Sequence, residues 1–178
     1  PVGDRLEEDG EFYWHITEDK FLEGLRAGLY VEAAIIHGQQ VSGGSVSEYK
    51  KARDLDKVAI TDIEVLYGAP ALHQHNPGAH YIFILPPQFD DWLHRLKMRG
   101  RMSHEELVER LKTAQSEIAA ALDYEYYVFV VSDDLAANVA AVHGFVRDGK
   151  PMDVDQNTAR DHAEQLLIDI RLYLESVS

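Results

Sequence analysis

Apolar positions along this chain follow two different periods, and the alternation between them outlines the fold. Thr17 followed by Glu18 and Asp19 signals a helix start, Phe21, Leu22 and Leu25 then share one face, and Gly28 stops the helix. A strand is expected over 29–36, a short helix over 45–53 and a strand over 57–63 that ends on an acid. "YIFIL" at 81–85 is a continuous apolar run closed by Pro86 and Pro87, the pattern of a strand buried on both faces. A helix carrying Phe89, Trp92, Leu93 and Leu96 comes next. Ser103 with Glu106 forms a capping box, and Leu107, Leu111, Ala114 and Ile118 mark the apolar face behind it. "YYVFVV" at 126–131 is a second buried-type strand leading into "SDDLAANVAAVHGFV", read as a helix. The last helix places Ala163, Leu167, Ile170 and Leu174 at helical spacing. Strands separated by helices predict an α/β domain with a mostly parallel sheet, in which ligands bind where strands end. Asp62 and residues 132–134 occupy such ends.

One segment does not reduce to packing. "VEAAIIHGQQVSGG", 31–44, alternates like a strand but carries the carboxylate of Glu32 and ends in a polar, glycine-bearing turn. Taken alone, Glu32 reads either as an exposed strand acid or as one acid aimed into a pocket.

Composition narrows the partners. With 178 residues, 46% hydrophobic and 27% charged, the chain suits about one globular domain. Its 17 Lys+Arg against 31 Asp+Glu give a formal charge of −14, which repels nucleic acid and anionic lipid. No cysteine is present, so disulfides and thiolate metal sites are excluded and a cytoplasmic setting is expected. No apolar run reaches the roughly 18 residues of a membrane span. A chain starting at Pro1 rather than Met reads as a processed form or as part of a longer polypeptide.

The order of several fragments resembles the guanylate kinase family, including its catalytically silent scaffold relatives. The family's G-x-D-Y-x-F-V-S-x-E-E-F is similar to "GEFYWHITEDKF", 10–21. Its glycine, strand glutamate and H-G-x-x-Y-G turn are similar to Gly28, Glu32 and "HGQQVSG", and its L-D-I-D to "TDIE", 61–64. I-F-I-L-P-P occurs verbatim at 82–87. The lid pattern is matched by "RLKMRG" and "HEELVERL", and N-D-D-L by "SDDL", 132–135.

This resemblance implies a P-loop-kinase-like α/β fold with a small nucleotide-monophosphate-binding subdomain and a helical lid. The domain would cover 1–154 without the family's first strand and P-loop. Its acceptor region would span about 5–55 and its lid about 95–115, with a C-terminal amphipathic helix over 155–178 packed on it. The implied activity is phosphoryl transfer from ATP, with Mg2+, to GMP. Glu32 and Glu64 would bind the guanine edge, and Tyr13 the nucleotide phosphate. Gly43 also falls at a substrate-binding position. Asp62 would organise magnesium and its waters, Arg99 and Arg110 would close the lid over phosphates, and Ser132 would lie on the adenine side. No direct protein metal site is expected.

Departures from the family pattern favour a second reading, a catalytically inactive module that binds a nucleotide or a protein partner. The phosphate loop G-x-x-x-x-G-K-[ST] is missing from this chain, so little or no kinase activity is expected of it alone. "GFVRDGKP", 144–151, has the glycine spacing but ends in proline and follows a helical stretch. Val41 replaces a phosphate-binding tyrosine, and Gly43 replaces a small hydroxyl residue. The family's arginine pair is represented only by Arg5 beside Asp4, Ser132 replaces an asparagine, and Leu66 replaces a glutamine. Loss of a central strand would leave an unpaired edge for a partner segment, a second copy of the chain or the C-terminal helix to cover. His73, His75 and His80 are read as a solvated loop rather than a metal cluster, and Tyr126 and Tyr127 as core.

Overall fold

The computed structural model describes residues 13–36, 40–98, 102–152 and 155–177. These pack as two compact units divided between Pro77 and Gly78.

The first unit contains α1 (Glu18–Arg26), β1 (Tyr30–Ile36), β2 (Gln40–Ser45), α2 (Val46–Asp54) and α3 (Gly68–His75). Thr17 caps α1 by accepting the N–H of Lys20, and Gly28 at φ 69° turns the chain out of the helix in a conformation that side chains disfavour. α1 packs through Phe21 and Gly24, whereas Leu25 is exposed. Phe21 stacks on Tyr30 with ring centroids 4.5 Å apart. β1 and β2 form an antiparallel pair with Ala33 opposite Gly43 and Ile35 opposite Val41, and the register slips between Tyr30 and Glu32. Residues 40–45, expected within a polar turn, are therefore a second strand, which the glycines and serines of "QVSGGS" had disguised.

Residues 57–63 were expected to form a strand and do not. Among the described residues no strand lies beside them, and an extended segment becomes a strand only when a neighbour takes its N–H and C=O groups. Ile60 is consequently 91% exposed.

The second unit runs β3 (Tyr81–Leu85), α4 (Phe89–Met98), α5 (His104–Asp123), β4 (Tyr127–Val131), α6 (Leu135–Asp148) and α7 (Gln156–Val177). β3 and β4 pair in parallel with Phe83 opposite Phe129. Both bonds of the Ser103–Glu106 capping box are present at the start of α5. α7 lies against α5 and β4, and the core joins Leu85, Phe129, Leu111, Leu166 and Ile170, all fully buried. Leu166 rather than Leu167 is the innermost leucine of α7, because the helix face is centred on Ala159, Ala163, Leu166 and Ile170. The side-chain amide of Gln156 imitates a neighbouring strand: Phe129 N–H donates to its Oε1 at 2.8 Å, and its Nε2 donates to Phe129 O at 3.1 Å. Arg160 donates to the carbonyls of Leu122 and Tyr124 while its guanidinium lies 5.0 Å from the centre of the Phe129 ring. Among the described residues no strand pairs with the other edge of β3, and Ile84 is 65% exposed.

Candidate functional site

Glu32 projects from the start of β1 into a narrow gap lined by glycine backbone. Its Oε1 accepts the N–H of Gly44 at 2.6 Å. A Cβ on Gly44 would come within 3.1 Å of Oε1, and a Cβ on Gly68 within 3.2 Å of Oε2. Two glycines, one on β2 and one opening α3, thus leave the space the carboxylate occupies. Burial raises its pKa above the ordinary carboxylate value, the Gly44 hydrogen bond opposes that rise, and the negative charges of Glu64 and Asp62 add to it.

Glu64 also turns toward backbone. Its Oε1 accepts the N–H of Leu66 at 2.8 Å, and its Oε2 accepts those of Tyr67 at 2.7 Å and Gly68 at 3.2 Å. Tyr67 makes no side-chain cap at the start of α3, so Glu64 satisfies donors the helix leaves open and sets its charge at the favourable end of the helix dipole. Asp62 lies two residues earlier, and its Oδ2 accepts the hydroxyl of Tyr13 at 2.6 Å. Three carboxylates from two separate segments therefore share one electrostatic neighbourhood, all three already engaged by neutral donors.

Glu32, Asp62, Glu64 and Tyr13 all belong to the first unit. Gly43 lies there too, on β2 opposite Ala33, where a Cβ would meet Glu32 O at 2.7 Å. Arg110 and Ser132 belong to the second unit. Arg110 sits on α5, and Ser132 follows β4 with its N–H donated to Leu85 O at 2.7 Å. Arg99, Arg5, Asp4 and His37 lie outside the described residues. Asp134 caps α6 by accepting the N–H of Ala137, so this strand end is also a helix cap. Gly149, at φ 63°, terminates α6, making "GFVRDGKP" a helix C-terminus rather than a phosphate-holding turn. His73 and His75 lie on α3, His80 packs on Phe145, and among the described residues no three His, Cys, Asp or Glu side chains converge as a metal site.

Sequence reasoning missed Gly44, Gly68 and Tyr49. The doubled glycine of "SGGS" at the end of a strand was a usable signal for close backbone approach. Nothing local marked Gly68 or Tyr49, because the chain returns to Glu32 only through the tertiary fold.

The acid-bearing strand hairpin of the first unit and the parallel β-α unit of the second are those of an α/β protein of the P-loop-kinase type. The sequence model of the guanylate kinase family matches residues 3–149. Guanylate kinase of Tropheryma whipplei (strain Twist) is 30% identical over 132 residues, covering 74% of this chain and 68% of the relative. That of Bifidobacterium longum is 33% identical over 135 residues, again covering 74% and 68%. The crystal structure of guanylate kinase from Anaplasma phagocytophilum superposes with a TM-score of 0.63 at 20% identity, over 86% of this chain and 73% of the other. The chain belongs to the guanylate kinase family. Among the described residues no helix is long and apolar enough to cross a membrane.

Proposed function

We propose that this chain carries the acceptor side of an ATP-dependent phosphoryl transfer to GMP, active when the family's phosphate loop completes it. The observation carrying this reading is Glu32, a partly buried carboxylate held in place by Gly44 with acceptor capacity to spare. An ionised carboxylate can accept both the ring N–H and the exocyclic amine of guanine, a donor pair that adenine lacks on that edge. Glu64 would add a second acceptor for the amine, Gly43 would lie beside the acceptor nucleotide, and Tyr13 would exchange its bond to Asp62 for the nucleotide phosphate.

Asp62 suits magnesium, since that ion is commonly held by one or two carboxylates together with waters and substrate phosphates. Bound Mg2+ would supply charge neutralisation at the transferring phosphoryl group. Arg99 and Arg110 would close on the ATP phosphates, with Ser132 on the adenine side. Residues 1–154 would act as one catalytic domain with the C-terminal helix packed on it, in the cytoplasm. The edge of β3 that pairs with no described strand supports completion of the sheet by a partner segment or a second copy, to be read as a mass shift in light scattering.

A coupled assay of GDP formation on the complete reading frame tests the enzymatic reading, and absence of turnover by folded protein would sink it. Val41 and Gly43, lacking the phosphate-side hydroxyls, favour the alternative of an inactive binding module. Calorimetry with GMP and ATP separately distinguishes the two, because a relic module retains one site without turnover.

A further inference from the structure

α2 is polar along its length and contains no fully buried residue, yet the hydroxyl of its Tyr49 is enclosed. The point where a Cβ on Gly44 would stand is 2.8 Å from Tyr49 Cε2, 3.0 Å from its hydroxyl and 3.1 Å from Glu32 Oε1. The phenol and the carboxylate thus close over the same glycine from different elements. Among the described residues no hydrogen bond of good geometry satisfies the hydroxyl, although the side chain of Thr61 lies beside it. Burial raises its pKa, the Thr61 side chain opposes the rise, and the charges of Glu32 and Asp62 add to it, so the group stays a protonated donor at neutral pH. A buried donor without a good acceptor is a cost to the free protein.

We propose that Tyr49 is a positioning residue of the purine cleft: its hydroxyl donates to the Glu32 carboxylate when a guanine edge settles there. The Gly44 N–H and the Tyr49 O–H then hold the carboxylate from the protein side, fixing its rotation so that both oxygens meet the two purine donors. The neutral phenol adds a charge-assisted bond without adding charge, and its ring keeps water from the Gly44 side. This rests on the guanine-cleft reading of Glu32. It assigns to α2 a part in nucleotide selection that neither Tyr13 nor Glu64 supplies.

The test is Tyr49→Phe, measured by thermal melting of the free protein and by calorimetry with GMP and with IMP, which lacks the exocyclic amine. The expected result separates stability from binding. Removing a poorly satisfied buried hydroxyl leaves the melting temperature unchanged or raised. GMP affinity falls about tenfold, the scale of one hydrogen bond to a charged group. IMP affinity falls less, so the preference for GMP over IMP narrows. Unchanged GMP affinity in Tyr49→Phe would overturn the proposal. So would equal losses for the two nucleotides, or a melting temperature lowered enough to show that the hydroxyl already serves the free fold. If wild-type protein binds no GMP, the guanine reading fails and the role of Tyr49 fails with it, an outcome distinct from a wild type that binds and a variant that binds equally.

Discussion

Gly44 donates its backbone N–H to Glu32 Oε1 at 2.6 Å, so the acid of one hairpin strand is anchored by the backbone of the other. Both residues lie in the antiparallel β1-β2 ladder, and Glu32 is paired with Gly44 in its register. The anchor therefore depends on hairpin pairing, and the slip in register beside Glu32 places that pairing where the acid can turn toward α3.

Replacing Glu32 by Gln separates recognition from stability. The amide keeps an acceptor for Gly44 but presents an amino group where guanine needs a second acceptor. GMP affinity is expected to fall about 100-fold, the scale of lost charge-assisted bonds, in calorimetry. Stability at neutral pH stays level or rises, because a carboxylate raised in pKa by burial and by Glu64 and Asp62 costs the fold something when ionised.

The same shift fixes a pH dependence. The folded-state pKa of Glu32 lies above its ordinary value of 4.5, so between those values the folded protein binds more protons than the unfolded chain. The destabilisation by Glu32 is thus present above the raised pKa and disappears as pH falls to 4.5 and below. Ligand binding runs the other way, since guanine needs the ionised acceptor. Guanosine, which has no phosphate to titrate, should lose affinity on acidification with a midpoint above 4.5. The stability difference between wild type and Glu32→Gln should shrink over the same window.

Gly44→Ala tests the packing around the acid. The new Cβ would stand 2.8 Å from the Tyr49 ring and 3.1 Å from Glu32 Oε1, so the phenol, the carboxylate or the strand must shift. Overpacking of this kind costs about 1–3 kcal/mol, to be read in denaturant unfolding, with weakened GMP binding beside it.

Gln156→Ala reopens the outer edge of β4. It leaves the N–H of Phe129, a fully buried residue, without its acceptor, at a cost of about 1–3 kcal/mol. Gln156→Glu retains an acceptor but loses the donor to Phe129 O, and should fall between wild type and alanine. An unblocked strand edge should also raise self-association in size-exclusion chromatography at high concentration.

Sequence alone determined most of the helices, because their signals are local: the Thr17 cap, the Ser103–Glu106 box, and the spacing of Leu107, Leu111 and Ile118. The exception is α3, where His73 and His75 read as a solvated loop and no side-chain cap announces the helix. The buried strands around Phe83 and Phe129 were legible for the same reason, as continuous apolar runs bounded by turn residues. So was Glu32, an acid out of place in its strand. Tertiary structure decided everything that depends on a neighbour distant along the chain. Residues 57–63 have strand composition but no described pairing partner, whereas 40–45 have poor strand composition and pair because β1 lies beside them. Only the fold brings Gly44, Gly68 and Tyr49 to the neighbourhood of one carboxylate, since their nearness to Glu32 arises from chain reversal rather than from spacing along a helix or strand.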